Sequence, residues 1–193
     1  MTDLPTPAVP DLARAAGSTV DELFDWFLLY YNHDPIPWNY RCGTRCVKAA
    51  YKGLRSLEQL MAGCDSEKVP QGKTSNREVV EFAAPIAFGR NTQVFDLPRR
   101  QFPFGRDRFA GYRIPFFFVE NEVVKLYFLQ PRKGAALNRT QLGMVATVYK
   151  RYLLDTEFYG LKSDVEFIDL SADPQTKLRN KSVYSLNDLE IWP

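Results

Sequence analysis

The sequence predicts an α+β fold, and three observations carry the prediction. Apolar residues recur at helical spacing early in the chain, two β-branched and aromatic runs follow with only Glu120-Asn121-Glu122 between them, and a further amphipathic segment then precedes another strand-like run. Such an order belongs to layered architectures in which helices cover a mixed sheet. The 193 residues are enough for a single unit with a sizeable core.

Residues 1–17 hold Pro5, Pro7 and Pro10 among small side chains, which predicts a flexible, extended lead-in. Thr19-x-x-Glu22 then forms a capping box, and Val20, Leu23, Phe24, Phe27, Leu28 and Tyr31 share one helical face. Asp34-Pro35 and Ile36-Pro37 end this helix. A second helix is expected from about Thr44 to Met61, with Val47, Ala50, Tyr51 and Leu54 buried and Lys48, Lys52 and Arg55 opposite. Residues 18–65 therefore read as a helical hairpin, and the polar stretch 63–75 joins it to an α/β core over 75–193.

In that core, Ser75-x-x-Glu78 caps a short helix that Pro85 ends, although Val79 to Phe82 also suits a strand. An extended piece near Gln93 to Asp96 leads into an arginine-rich loop. Ile114 to Val119 and Val123 to Gln130 form the hairpin. Asn138-x-x-Gln141 caps a third long helix with Leu142, Val145, Ala146, Tyr149, Tyr152 and Leu153 on its buried stripe, and strands follow at Val165 to Leu170 and near Val183. Asp164 and Glu166 should occupy an outward polar face of the first of these strands.

Composition narrows the chemistry. The chain is 45% hydrophobic and 25% charged, with a net charge of +2 and a mean hydropathy of −0.31, which excludes largely disordered and collagen-like classes. Fourteen Phe, ten Tyr and three Trp stand against one histidine, His33, so a histidine-based triad has a single candidate in a Pro-rich turn. No run approaches the ~18–20 apolar residues of a membrane span, and the acidic, Pro-containing start lacks a signal-peptide pattern, so a cytoplasmic location is expected. Cys42-x-x-x-Cys46 supplies two soft ligands at a spacing that includes no usable histidine, and Cys64 completes no even framework. Reduced thiols without a metal are the expectation.

The order helix, strand, strand, strand, helix, strand resembles the αβββαβ core of the PD-(D/E)XK nuclease superfamily over roughly residues 75–171. That resemblance implies a divalent metal such as Mg²⁺ held by acids at the hairpin, with a lysine positioning water. Ile114-Pro115-Phe116-Phe117 stands where the family has Pro-Asp, and Phe128-Leu129-Gln130-Pro131-Arg132 where it has acid-x-Lys. Phe116 thus replaces the aspartate, and Phe128 and Gln130, or Gln130 and Arg132, replace the acid and lysine. In the following helix Gln141-Leu142 begins a pattern found in some branches, but Val145 takes the tyrosine place. A phenyl ring cannot ligate magnesium. The resemblance implies either a non-catalytic binding or regulatory relative, or a metal-dependent nuclease whose acids have moved to Glu78 or Glu81, with Gln130 and Arg132 at the strand end.

Between Arg90 and Arg113 six arginines face two aspartates, with Phe95, Phe102, Phe104, Phe109 and Tyr112 interleaved. Arginine beside aromatic rings suits phosphate contact and base stacking. Arg99, Arg100, Arg106, Arg108, Arg132 and Lys133 are the candidate nucleic-acid contacts. The alternative is a loop pinned by its rings with solvated or ion-paired arginines. The acid pairs Glu120/Glu122, Asp155/Glu157 and Asp164/Glu166 read as exposed charge. The helix around Phe24 to Tyr31 is apolar over most of its circumference, so a homodimer or protein partner is a further expectation.

Overall fold

The computed structural model describes residues 6–15, 19–32, 39–134, 136–173 and 175–192. Seven α-helices occur among them: α1 (Val9–Ala13), α2 (Val20–Asn32), α3 (Arg41–Tyr51), α4 (Leu57–Ala62), α5 (Pro70–Ala83), α6 (Arg139–Tyr149) and α7 (Asp155–Glu157). The strands are β1 (Gln93–Phe95), β2 (Gln101–Gly105), β3 (Arg108–Gly111), β4 (Phe116–Glu120), β5 (Val123–Gln130), β6 (Ser163–Asp169) and β7 (Ser182–Tyr184). The fold is α+β, with a helical N-terminal region and a mixed sheet in the order β1-β4-β5-β6-β7. None of these helices is long and apolar enough to cross a membrane.

Local chemistry explains the ends of these elements. Thr19 and Glu22 cap α2 reciprocally, with Glu22 N donating to Thr19 Oγ1 at 3.3 Å and Thr19 N to Glu22 Oε2 at 2.9 Å. Asn138 and Gln141 do the same for α6. Pro70 opens α5 at a position where a missing N–H costs nothing, so this helix begins five residues before the expected Ser75. The hairpin β4–β5 turns through Asn121 and Glu122, both at positive φ, which matches a two-residue turn to the strand twist.

The expected helix from Thr44 to Met61 is instead two helices. Gly53, at φ +66°, ends α3, with Gly53 N donating to Ala50 O, and Ser56 then caps α4. The hairpin pairing also differs: α3 packs on α5 and α4, whereas α2 buries none of its residues. The lead-in is ordered where it is described. Within it α1 packs on α6, Gly111 N donates to Pro7 O at 2.8 Å, and Asp11 and Ala13 are buried. The turn at 33–38, with His33, lies outside the described residues, as do residues 1–5 and 16–18.

Strands β1, β4 and β5 form an antiparallel meander, α6 crosses over, and β6 lies parallel to β5. Both sheet faces are covered. Phe116, Phe118, Tyr127 and Ile168 pack against α3 and α5, while Leu126, Phe128, Val165 and Phe167 pack under α6. Strand β6 is consequently buried continuously from Val165 to Leu170, as expected for a strand flanked on both sides and covered on both faces.

This coverage corrects the placement of Glu166. It lies inside, at 8% exposure, and accepts a hydrogen bond from the Tyr51 hydroxyl. Arg90 bonds Glu166 at 2.9 Å and Glu120 at 2.7 Å, and its guanidinium lies over the rings of Tyr51 and Phe118. Glu120 is therefore part of an ion network rather than an exposed turn. Between β1 and β4, part of the expected arginine loop is a separate two-stranded ribbon, β2–β3, with Arg106 and Arg108 exposed.

Candidate functional site

Strands β5 and β6 end side by side, with Gln130 in register with Asp169, and a cleft of about 1240 Å³ opens beside the end of β5. Crevices beyond the carboxyl ends of parallel strands are where open α/β sheets bind ligands. The first turns of α3 form one wall, residues 96–101 and 111–115 another, and residues 128–132 the floor, with Pro10 and Arg14 of the N-terminal segment at the edge. The volume exceeds the ~300–1,000 Å³ of sites for drug-sized ligands.

Charge is the distinctive property of the lining. Arg14, Arg41, Arg45, Lys48, Arg99, Arg100, Arg113 and Arg132 contribute eight basic side chains, and Asp96 is the sole carboxylate among the lining residues. Half of the cations have acidic partners. Lys48 pairs with Asp96, Arg100 with Glu157 at 3.0 Å, and Arg14 and Arg113 share the buried Asp11 at 3.1 and 2.7 Å. Arg41, Arg45, Arg99 and Arg132 form no ion pair among the described residues, and all four are exposed. Four uncompensated guanidiniums on one concavity generate a local positive field that the net charge of +2 conceals.

An aromatic ladder accompanies this field. In α2 the rings of Trp26 and Tyr30 stack at 5.1 Å and those of Phe27 and Tyr31 at 6.1 Å. Burial raises the Tyr30 phenol above its ordinary value, and the negative charge of Asp11 adds to the shift.

The predicted contacts divide between the cleft and elsewhere. Arg99, Arg100 and Arg132 line it, whereas Arg106 and Arg108 sit on the β2–β3 ribbon outside the lining. Lys133 bonds Glu78 at 3.0 Å. Glu78 also receives Arg179 at 2.8 Å, and Arg179 in turn donates to the carbonyls of Pro131 and Leu170. Burial pulls the Glu78 carboxyl upward, and these two cations reverse the effect and hold it below its ordinary value. Glu81 is exposed on α5. Glu78 thus braces the strand ends from the α5 side, and it does not line the cleft.

The side chains at the hairpin do not fit a magnesium ion, which takes hard oxygen ligands in near-octahedral geometry. Phe116 and Phe128 belong to the two opposite core layers and do not converge. The Gln130 side-chain oxygen accepts the Arg132 backbone N–H at 3.1 Å. Asp169 lies nearby with its carboxyl pushed up by burial, and accepts Ser171 N at 2.9 Å.

No family model, curated protein or solved structure matches the chain. The site is therefore characterised by its own geometry. Sequence reading missed Arg14, Arg41, Arg45, Lys48 and Arg113 as partners of Arg99 and Arg132. A signal for three of them existed, since positions 41, 45 and 48 follow the spacing of one helix face. It also missed Cys64 as a neighbour of Cys42 and Cys46: the three Sγ atoms lie within 4.8 Å of one another. Cys64 lies eighteen positions after Cys46, beyond the end of α3 and all of α4, so no local spacing rule reports their meeting.

Proposed function

We propose that this protein binds single-stranded nucleic acid in the cleft at the end of β5. The observation that carries the reading is the cleft lining, in which Arg41, Arg45, Arg99 and Arg132 are exposed and form no ion pair among the described residues. Guanidiniums contact phosphate oxygens in a planar fork, and exposed rings give bases a surface for stacking. The partly exposed rings of Trp26 and Tyr30 on α2 offer that second element. The role is binding or regulatory, because the positions where a nuclease would hold metal carry phenyl rings and a carboxamide. The antiparallel β1-β4-β5 meander followed by α6 and the parallel β6 supports kinship with the nuclease-like core. Three cysteines that form no disulfide suit a reducing cytoplasmic setting.

Fluorescence anisotropy with labelled single-stranded and duplex oligonucleotides, repeated across salt concentrations, tests the reading. Four released counterions give a slope of log K against log salt of about −3 for a single strand. An absence of salt-sensitive affinity overturns the proposal. Cleavage with Mg²⁺ or Mn²⁺ that vanished in Glu78→Ala would replace it with the nuclease alternative.

A second reading concerns the exposed stripe of α2 that adjoins Phe27 and Tyr31. Val20, Phe24 and Leu28 form an exposed stripe at 80%, 63% and 44% exposure, spaced for antiparallel pairing with a second copy of this chain. Light scattering coupled to size exclusion tests it: a dimer that dissociates in Phe24→Glu supports the pairing, and a monomer at micromolar concentration ends it.

A further inference from the structure

Cys42 and Cys46 stand one turn apart on α3, and the turn Gly63–Ser66 after α4 brings Cys64 against them. All three Sγ atoms lie within 4.8 Å of one another, Cys46 and Cys64 are buried, and Cys42 is partly exposed. A tetrahedral zinc with Zn–S bonds of ~2.3 Å holds its sulfurs ~3.8 Å apart, so the triangle needs to contract by about 1 Å or less. Gly63 permits this approach: a Cβ there would stand 2.9 Å from Cys46 Sγ. The surroundings also suit a charged cluster. Arg45 Nη2 lies 3.7 Å from Cys42 Sγ, and Ser66 Oγ also lies 3.7 Å from it.

We propose that Cys42, Cys46 and Cys64 form a binding site for a thiophilic cation, Zn²⁺ foremost, with the fourth coordination position open toward the partly exposed Cys42 side. Three thiols lose three protons as the ion binds, leaving a net charge of −1 that Arg45 offsets. The ion ties the first turns of α3 to the end of α4. Arg41 and Arg45, which line the cleft, lie on those same turns. The site does not depend on the nucleic-acid reading.

The test uses the reduced full-length chain, first cleared of metal with a chelator and then titrated with Cd²⁺ and with Zn²⁺. Cadmium is expected to produce a thiolate-to-metal ultraviolet band that saturates at one equivalent. Zinc is expected to displace it and to protect all three cysteines from alkylation, mapped by mass spectrometry. Cys64→Ser should weaken binding at least tenfold, and Arg106→Ala, on the β2–β3 ribbon, should leave it unchanged. Because Cys64→Ser removes a buried group, the protection pattern of the unmutated chain provides a reading independent of that variant's folding. Protection of Cys42 and Cys46 without Cys64 overturns the proposal. So does the absence of a cadmium band, or a Cys46–Cys64 disulfide forming in a chain with no metal affinity.

Discussion

Arg90 grips Glu120 through two hydrogen bonds of 2.7 Å each, one from Nε and one from Nη2, and the same guanidinium reaches across to Glu166 on β6. A single cation thereby joins the segment after α5 to the end of β4 and to a strand that is not β4's neighbour. Tyr51 adds α3 to the network through its hydroxyl.

Replacing Arg90 leaves two carboxylates without their main partner in a low-exposure site. Breaking a buried pair from one side costs about 3–5 kcal/mol. Arg90→Met should lower the urea midpoint accordingly, while Lys125→Met, which removes only the 2.9 Å partner at the rim of Glu120, should cost about 1 kcal/mol or less. Equal losses in the two variants would show that Arg90 is not the keystone.

Arg90, with Lys125, holds the Glu120 carboxyl at about 2, against an ordinary 4.5. A lowered folded-state value means that the contribution is complete above the unfolded value and is lost as pH falls toward the folded one. Stability should therefore drop between about pH 4.5 and about pH 2, and Glu120→Gln should flatten this part of the profile. Chemical denaturation at a series of pH values measures the slope; an unchanged acid limb in Glu120→Gln would contradict the assignment.

The cleft arginines should separate from the ribbon arginines. Arg132→Ala and Arg99→Ala each remove a phosphate contact and should reduce the salt slope for single-stranded nucleic acid by about 0.7. Arg106→Ala and Arg108→Ala, outside the lining, should leave both affinity and slope as they are. The anisotropy titrations distinguish the two pairs directly.

The C-terminal segment docks on α6 at a glycine. A Cβ at Gly143 would lie 2.7 Å from the Glu190 carbonyl oxygen, next to the bonds from Trp192 N to Thr147 Oγ1 at 2.9 Å and from Arg151 to Trp192 O at 2.8 Å. Gly143→Ala should displace this segment. The Trp192 fluorescence should shift toward that of an exposed indole, and the amides of residues 189–192 should exchange faster. An unaltered spectrum and exchange pattern would indicate that the backbone accommodates the methyl group.

The helix caps at Thr19 and Asn138, the β4–β5 hairpin and the strand character of Val165 to Leu170 were legible in the chain because each depends on residues a few positions apart, whereas the parallel pairing of β5 with β6 joins residues 39 positions apart. Gly53 was not read as a helix stop, because helical periodicity on either side concealed it. Position on a face is a different matter. Asp164 and Glu166 alternate with apolar residues as an exposed edge would, yet Glu166 is inside because Arg90, 76 positions away, neutralises it there.

Composition and periodicity by themselves determined an α+β chain, its principal helices and its hairpin, since these follow from backbone hydrogen bonding and the burial of one face. Only the tertiary structure decided which charges gather and which cancel. Arg41 and Arg132 share a cleft, Lys133 is neutralised by Glu78, and Cys64 joins Cys42 and Cys46. Coulomb attraction and metal coordination act through space over a few ångströms, and chain separation carries no record of those distances.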